Sequence, residues 1–551
     1  MDTNPATAFD PFLNFNAHNT AAARSRVYVT LQNTGEFELP LAYATINGDL
    51  FNLPAGPVSF AIGGEYHGER FTRTRDPLNS TFQSIGSVDG QGFRVNRDVW
   101  GVYEEVRIPF TSPTWNFPGF YSFEIDFAER EEWYSQNTST VLTPFEPAAH
   151  TRYNAQKPKI SLRWEPLDPK WIGGLTLRGS YSEAFHAPTL AELSPAGTQN
   201  FPIVVDPFTV GNSPGNRTEP QIEERITGNP LLKPEEAYEW SYGAVYSPKW
   251  LKGLTLSADW WHIDLRSIVA TLGAQFIIEQ NNPALVQRAP SSVPGEAFGP
   301  VTLVIDPNEN LAGAIFEGLD YEAIYILEST TFGGPDWGRL TFTVNGTWLS
   351  RAELQTAPDT KRFGIAGEFL PTGFALTNSL PRNRANASLY YDGAADTWAA
   401  GFDIGAVVHW VGQYNDDNIS LAGGKPQTPT AGPFPNRARK VEDWTTLDLI
   451  MSYTFNMPAP PAAEVPGYAK DGGKNVKMKD GKEKNILPVS TAEYNPCGWR
   501  AWLNNTTLTL GMQNVFDTDP PFVAGSFENG YDESLATIKG RFWYAQIRKR
   551  F

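Results

Sequence analysis

Hydrophobic and polar residues alternate along much of this chain with a period of two. In residues 121–128, for example, Phe123 and Ile125 alternate with Glu124 and Asp126. Because successive side chains of a strand point to opposite faces, this alternation predicts strands with one apolar and one polar face. Such segments occur near residues 26–33, 42–52, 58–70, 97–109, 119–130, 158–165, 174–183, 237–247, 253–264, 315–327, 339–350, 383–392, 397–411, 444–455, 505–516 and 540–551.

The connections between these segments are alternately short and long. Short ones, such as residues 54–57 and 247–250, contain turn residues, whereas long ones, such as 184–235 and 412–440, are polar and rich in Pro, Gly and Asn. A soluble sandwich also alternates, but the two turn lengths and the aromatic residues near strand ends are typical of a transmembrane barrel. The sequence therefore predicts an all-β fold, an antiparallel up-and-down barrel of about 16 strands.

The last predicted strand ends on an aromatic residue at the end of the chain. Trp543, Ala545, Ile547 and Phe551 fall on one side of this strand, and polar residues fall on the other. We expect the four residues to face lipid, because a barrel can close on such a strand without a tail.

Composition favours a barrel over a helical membrane protein. Only 41% of the 551 residues are hydrophobic, and no stretch approaches the roughly 18 consecutive apolar residues of a spanning helix. The net charge of −17 argues against nucleic acid as a partner. Acidic residues are expected in the lumen and outer loops, and a solvated soluble surface would explain the charge equally well.

No catalytic or metal-binding constellation is evident in the sequence. The six histidines are scattered without paired spacing, and Cys497 has no second cysteine with which to form a disulfide. The chain starts at Met1 without a basic and apolar export signal. We therefore expect no enzyme activity, no cofactor and no metal ion.

The chain divides into two unequal regions. Residues 1–24 are expected to be irregular, and residues 25–551 are expected to form the barrel. Within the barrel region, residues 457–503 are rich in Lys and Gly and are predicted to form a flexible, solvated periplasmic insertion.

Ten charged residues on the polar sides of the predicted strands are candidates for the lumen wall. They either line a transport path or simply keep a wide lumen hydrated. They are Glu65, Glu105, Glu124, Asp126, Arg163, Arg178, Glu239, Asp320, Glu322 and Asp448.

Five stretches, in order along the chain, resemble signatures of TonB-dependent outer-membrane receptors. They are residues 177–193 (LRGSYSEAFHAPTLAEL), 228–236 (GNPLLKPEE), 318–322 (GLDYE), 514–521 (NVFDTDPP) and the terminal Phe551. Each stretch is weak evidence alone. Five in order, with alternating strands between them, make the resemblance specific over roughly residues 40–551.

The resemblance implies a receptor in the outer membrane of a Gram-negative bacterium. Members of this family have a signal peptide, a box that binds TonB, a globular plug and a barrel of about 22 strands. By this comparison the chain reads as the C-terminal barrel, with the signal and plug missing. The implied partners are outer-membrane lipid, the barrel assembly machinery, an extracellular ligand and the TonB–ExbB–ExbD complex, the last through the missing N-terminal region.

The implied function is energy-coupled uptake of a bulky nutrient such as a siderophore, a vitamin or an oligosaccharide. Aromatic residues assigned to outer loops are candidate ligand contacts, because they suit flat ligand faces. The alternatives are a passive porin-like channel or a non-functional truncated fragment, and more remotely a barrel-based enzyme or adhesin. The candidate ligand residues are Trp410, Tyr414, Phe522, Phe527 and Tyr531.

The resemblance also implies that Trp543, Ala545, Ile547 and Phe551 act as the signal read by the assembly machinery. We expect deletion of Phe551 to lower the amount of protein that inserts into the outer membrane, measured by fractionation and heat-modifiability on gels. Insertion at the wild-type level would contradict this role.

Overall fold

The structure is a computed structural model, and its description covers residues 19–550 with gaps. The gaps are residues 85–86, 116, 141–148, 209–216, 220, 292–294, 296, 333–334, 357–359, 370–378, 396, 417–439, 456–475, 478–482, 485–501, 524–525 and 527–528.

Strands dominate the described residues. In chain order they are β1 (Thr34–Glu38), β2 (Leu41–Leu53), β3 (Gly56–Thr74), β4 (Phe93–Thr111), β5 (Ser122–Thr140), β6 (Ala149–Glu165), β7 (Gly173–His186), β8 (Gly197–Asn200), β9 (Val204–Asp206), β10 (Arg217–Glu219), β11 (Glu223–Thr227), β12 (Glu235–Pro248), β13 (Leu254–Ala270), β14 (Val286–Arg288), β15 (Val301–Pro307), β16 (Glu309–Glu328), β17 (Gly338–Gln355), β18 (Phe363–Gly364), β19 (Asn383–Gly393), β20 (Phe402–Val411), β21 (Tyr414–Asn415), β22 (Lys440–Val441), β23 (Trp444–Phe455), β24 (Val476–Lys477), β25 (Glu483–Lys484), β26 (Thr506–Gln513) and β27 (Phe542–Lys549).

Helices are few and short. Over the described ranges, no helix is both long and apolar enough to cross a membrane. The helices are α1 (Ala21–Val27), α2 (Pro77–Ser80), α3 (Pro169–Ile172), α4 (Leu190–Leu193) and α5 (Ala274–Gln280).

One large sheet of 17 strands forms the wall of the molecule, and its neighbouring strands pair antiparallel. Strands β1 and β2 pair with the same side of β3, and the two-residue β18 pairs with the same side of β17 as β19 does. Because β1 shares a place in the sheet with β2, and β18 shares one with β19, the seventeen strands occupy fifteen places side by side. These places follow one another in the order of the chain. This is the predicted up-and-down meander, and the predicted fold class is confirmed.

The sequence predicted one strand too many at the start of the chain. Residues 26–33 are not a strand, because α1 ends at Val27 and residues 28–33 precede β1. Thr20 accepts a hydrogen bond from the backbone N–H of Ala23 and so caps this helix, which takes in residues 26–27 of the predicted strand, and residues 28–33 have no regular secondary structure. The other fifteen predicted strands each correspond to a strand of the sheet.

Several strands extend well past their predicted ends. Residues 131–140 and 149–156 lie between the strands predicted near residues 119–130 and 158–165, but they belong to β5 and β6 and pair with each other through Thr138 and Ala149. Where both faces of a strand meet water, its side chains need not alternate, and backbone hydrogen bonds alone continue the strand. The alternating pattern therefore underestimates the length of these strands.

One face of the sheet carries rows of exposed apolar side chains, here called the apolar belt. Ile404, Met451, Leu510 and Ala545 lie opposite one another across four adjacent strands, and the next row down includes Tyr453, Leu508 and Ile547. Met451 is 41% exposed and Leu510 is 55% exposed. No second sheet covers these residues within the described structure, as it would in a sandwich.

The belt has the height of a membrane. On β20, Phe402, Ile404, Ala406, Val408 and Trp410 all lie on the apolar face, so apolar side chains cover nine residues of this strand. Nine residues span about 30 Å along a strand, which corresponds to about 23 Å across a membrane for a tilt near 40°.

The long connections at one end of the wall fold into compact structure of their own. Strands β14, β15, β11 and β8 form a separate sheet, in which β11 and β15 are parallel. Helix α5 packs against this sheet through Ile277 and Ile278, which contact Val204 and Val304 in a buried cluster. The predicted outer loops are therefore partly ordered by small hydrophobic cores.

The predicted Lys/Gly-rich insertion, residues 457–503, lies almost entirely outside the described residues. The two-stranded pair of β24 and β25 and residues 502–503 are its described parts. Phe551 and residues 1–18 are also outside the described residues.

The belt can be tested on strand β26, where Leu510 lies on the apolar face and its neighbour Thr509 lies on the opposite face. We expect Leu510→Lys to cost about 2–4 kcal/mol of folding free energy in a bilayer, because a charge would face hydrocarbon. Thr509→Lys is the matched control and should cost much less. Reversible urea titration in lipid vesicles measures both, and equal costs would contradict the assignment of faces.

Candidate functional site

The face of the sheet opposite the apolar belt, here called the inner face, carries most of the paired charges. Arg130 on β5 forms ion pairs with Glu65 on β3 and Glu132 on β5, and its Nη2–Oε1 distance to Glu65 is 2.6 Å. Glu132 also accepts a hydrogen bond from the hydroxyl of Tyr134. Gly101 lies between the two outer strands of this network. One guanidinium thus connects three adjacent strands.

A second ion pair bridges β7 and β13 in the same way. Arg178 donates from Nε to Asp259 Oδ1 at 2.6 Å, and the intervening residue on β12 is Gly243. A Cβ atom at Gly243 would lie 2.1 Å from Asp259 Oδ1, so no larger residue fits beneath this pair. The glycine allows the two charged side chains to meet across the strand that separates them.

The ten predicted lumen residues all lie in sheet strands on the inner face. Glu65 and Arg178 belong to the two networks above, and Arg163 lies between Glu124 and Glu165, with ion-pair contacts to both. Asp448 approaches the imidazole of His409 at 3.4 Å. The strand register does not bring all ten residues together. It places the remaining five on the same face, and these are Glu105, Asp126, Glu239, Asp320 and Glu322.

The five predicted ligand-binding aromatics do not form one cluster. Trp410 lies within β20, on the face of Ile404 and Val408, and not in an outer loop. Phe522 is 71% exposed and Tyr531 is half-buried. Phe527 is outside the described residues.

Tyr414 has a structural position at the outer end of the wall. It is buried against Val441 and Val523, and its hydroxyl donates to Asp532 Oδ2 at 2.9 Å. Burial, and then the neighbouring carboxylate of Asp532, raise the pKa of Tyr414. Its ring joins three long connections and is not presented to solvent.

A buried pair of carboxyl groups lies in the separate outer sheet. Asp306 on β15 accepts hydrogen bonds from the backbone N–H groups of Leu272 and Gly273 at 3.1 and 2.9 Å, directly before α5. Burial, and then the nearby Glu224, raise the pKa of Asp306 to about 7. Glu224 itself accepts from Asn200 Nδ2 at 2.7 Å. Near neutral pH the carboxyl group of Asp306 is therefore about half protonated.

Three of the four predicted assembly residues lie in β27. Trp543, Ala545 and Ile547 pair with Met512, Leu510 and Leu508, which places them on the apolar face. Trp543 and Ile547 are each 67% exposed.

The described residues contain no group of three or more His, Cys, Asp or Glu side chains that could hold a metal ion. The polar side chains of the inner face pair mainly with each other across strands. Their arrangement suits a hydrated wall.

Together, the two-faced antiparallel wall, its short and long connections and its charged inner face define a membrane barrel of the outer-membrane type. The family model described as TonB dependent receptor-like, beta-barrel, matches residues 2–470. The chain belongs to this family. Its members are outer-membrane transporters and not enzymes.

The chain is also similar to several solved structures. The siderophore receptor PirA from Acinetobacter baumannii is 14% identical with a TM-score of 0.44, and the match covers 93% of this chain and 62% of PirA. The ferric-catecholate receptor Fiu from E. coli K12 and the ferric citrate transporter FecA are each 11% identical with TM-scores of 0.47, covering 94% of this chain and 55% of theirs. The chain thus spans less than two thirds of the length of these structures. No curated protein matches it.

Sequence reasoning missed the buried polar groups of the outer connections. Asp306, Glu224 and the ion pair of Arg288 with Asp206 lie between segments that are distant in sequence. Their carboxylates look like ordinary loop acids in the sequence, so no local signal identifies them.

The carboxyl pair makes the outer sheet sensitive to pH. Because its folded-state pKa lies above the ordinary value of 3.8, the contribution of Asp306 to stability is fully present below about pH 4 and is lost as pH rises through 7. We expect Asp306→Asn to flatten this dependence. Hydrogen exchange of residues 274–280 and 301–307 from pH 5 to 8, corrected for intrinsic rates, measures it. Glu223→Gln, one residue before Glu224, is the control, and an unchanged slope in Asp306→Asn would contradict the assignment.

Proposed function

We propose that this chain forms the wall of a receptor that takes up a bulky nutrient across the outer membrane with energy relayed by TonB. The proposal rests on membership in the TonB-dependent receptor barrel family. The nutrient classes that we propose are siderophores, vitamins and oligosaccharides.

The inner face supports a transport role. Its charged side chains are held in ion pairs across strands, as for Arg130 with Glu65 and Arg178 with Asp259. Paired charges hydrate the wall without presenting a large uncompensated charge to a passing solute. Such a wall favours passage of a large polar ligand over tight retention.

The outer connections support ligand capture at the far end. They contain their own buried clusters around Ile277 and around Tyr414, so they are positioned by packing and not only by the strands they join. Binding loops held by a rigid scaffold are the usual arrangement for recognition. We propose that Phe522 and Tyr531 contribute contacts there, since at least part of each ring is accessible.

The proposed partners follow from the same assignment. They are an extracellular ligand, the TonB–ExbB–ExbD complex, outer-membrane lipid against the apolar belt and the barrel assembly machinery acting on the strand of Trp543, Ala545 and Ile547. The proposed location is the outer membrane of a Gram-negative bacterium.

A passive porin-like channel is the second candidate. The observation that favours it is the inner face itself, which is polar along the whole wall and would conduct small ions if nothing filled the space beside it. The two candidates differ in their need for energy.

Energy dependence distinguishes the two functions. The barrel is expressed together with the signal peptide, TonB-binding box and plug of a receptor of this family, in a Gram-negative strain lacking its own receptors. It is tested for uptake of labelled iron chelates, cobalamin and oligosaccharides with and without TonB, and residues 1–551 with an export signal alone are the control, for which we expect no dependence on TonB. For the proposed receptor, we expect uptake of at least one ligand class to fall by about tenfold or more without TonB. Uptake of small solutes that is equal in both strains would establish the passive channel instead.

A further inference from the structure

Two tyrosines on the inner face lie at the same level of the wall, one on β19 and one on β27. The strand register runs from Tyr390 through Gly405, Ile450 and Gly511 to Tyr544, with one residue on each of five adjacent strands. Four interstrand spacings separate the first strand from the last, which is about 19 Å. This row lies directly behind a row of the apolar belt, and so within the membrane-spanning part of the wall.

The two tyrosine rings lie across the neighbouring strands and reach towards each other. A Cβ atom at Gly405 would lie 2.3 Å from Cε1 of Tyr390. A Cβ atom at Gly511 would lie 2.1 Å from Cζ of Tyr544. Each ring therefore occupies the place that a side chain of the glycine would take. Ile450 is the remaining side chain of the row, so Tyr390, Ile450 and Tyr544 form one apolar surface, here called the ring platform.

The ring platform is accessible from the inner side of the wall. Tyr390 is 39% exposed, and Ile450 and Tyr544 are half-buried. Phe542, on the same face of β27, is 46% exposed and stacks with Tyr544 at a distance of 6.4 Å between ring centroids. An accessible apolar surface on a wall that is otherwise polar indicates a contact site for a ligand.

A third tyrosine has the same local arrangement without a platform. Tyr103 on β4 lies across Gly63, where a Cβ atom would be 2.2 Å from its Cζ. The guanidinium of Arg130 lies 5.8 Å from the centroid of this ring, and Thr45 is hydrogen-bonded to its hydroxyl. A single tyrosine over a glycine thus packs the wall, whereas the two on either side of Ile450 also present a continuous apolar surface.

Uncharged polar groups border the ring platform on both sides. Ser388 lies in the next row towards the outer connections, and Ser452, Thr509 and Gln546 lie in the next row towards the short turns. Hydroxyl and amide side chains both donate and accept hydrogen bonds. An apolar surface between such groups matches a ligand whose faces carry C–H groups and whose edges carry hydroxyl groups.

The charges next to the ring platform are mainly carboxylates. Asp448 lies in the row of Ser388, and Asp392 and Asp403 lie opposite each other in the row towards the short turns. Arg339 pairs with Asp392 at 2.7 Å, and His409, 3.4 Å from Asp448, adds a positive charge only when it is protonated. These surroundings repel an anionic ligand and accept an uncharged one.

We propose that the ring platform is a binding site for an uncharged oligosaccharide. The sugar rings pack on Tyr390 and Tyr544, and the sugar hydroxyl groups bond to the bordering serine, threonine and glutamine side chains. The inference rests on the proposed uptake function, from whose nutrient classes it selects one. It places a ligand contact on the wall itself, away from the outer connections.

Sugar binding to the purified chain tests the site. Residues 1–551, produced with an export signal and held in phosphatidylcholine nanodiscs, are titrated with maltotetraose, cellotetraose and xylotetraose, and binding is followed by saturation-transfer NMR. We expect at least one of these sugars to bind, and tetragalacturonate, a charged sugar of the same length, to bind about tenfold more weakly. Binding of none of the three, or equal binding of tetragalacturonate, would overturn the proposal.

The two tyrosines are tested against Tyr103 as the matched control. We expect Tyr390→Ala and Tyr544→Ala each to raise the Kd of the bound sugar about fivefold, because each removes one aromatic contact. Tyr103→Ala removes the same kind of tyrosine from above a glycine and should leave the Kd unchanged. An unchanged Kd in both platform variants, or an equal increase in all three variants, would show that the platform does not bind the sugar.

Folding is checked for every variant by its β-sheet circular dichroism. If an alanine variant does not fold, Ile450→Glu replaces it, because a carboxylate between the rings leaves both tyrosines over their glycines. We expect this change to raise the Kd about tenfold or more, and an unchanged Kd would overturn the proposal.

The binding measurement needs neither TonB nor transport, so it separates this inference from the proposed function. If uptake did not depend on TonB, sugar binding at the platform would still be observed. If the platform bound no sugar, TonB-dependent uptake of another ligand class would still be observed.

Discussion

The structure depends on one constraint: within hydrocarbon, every backbone N–H and C=O group must be paired inside the protein. A continuous antiparallel ladder meets this requirement from β3 to β26, and the alternation of side chains then follows from the pleat. Apolar rows such as Ile404, Met451 and Leu510 face outward, and the charges of Arg130 and Arg178 face inward. Both the lipid contact and the polar wall are consequences of the same ladder.

The part of the fold that lies within the membrane could be read from the sequence, because there the two faces meet different solvents and composition must alternate. The strands around Leu340 and Leu449 were predicted to within a few residues for this reason. Where the wall rises into water the two faces no longer differ in solvent, so β5 and β6 continue for many residues without the pattern. The prediction for residues 26–33 was wrong at a place where the alternation is weak: the helix capped by Thr20 extends to Val27, and residues 28–33 are not paired in the sheet.

The same reasoning explains which site residues the sequence could place. Alternate residues of a strand point to opposite faces, so the face of a charged residue such as Glu65 or Asp448 follows from its position in the strand alone. Aromatic residues near strand ends do not, because whether Trp410 belongs to a strand or a loop depends on where β20 ends. Tyr414 depends on a hydrogen bond to Asp532, 118 residues further along the chain, and Asp306 depends on the backbone N–H of Leu272, 34 residues earlier. Long-range packing of this kind leaves no local pattern.

Fifteen positions in an alternating meander have a geometric consequence for its two margins. Since each strand reverses direction, β2 and β27 run the same way. A ladder joining them directly would be parallel, with slanted and evenly spaced hydrogen bonds, and it would be the single parallel seam of the wall. If further strands lay between β27 and β2 and every pair were antiparallel, the number of these strands would have to be odd. The direction of β2 therefore determines what can lie beside it: a second copy in the same membrane orientation could meet this margin only in parallel, because its own β2 and β27 run the same way.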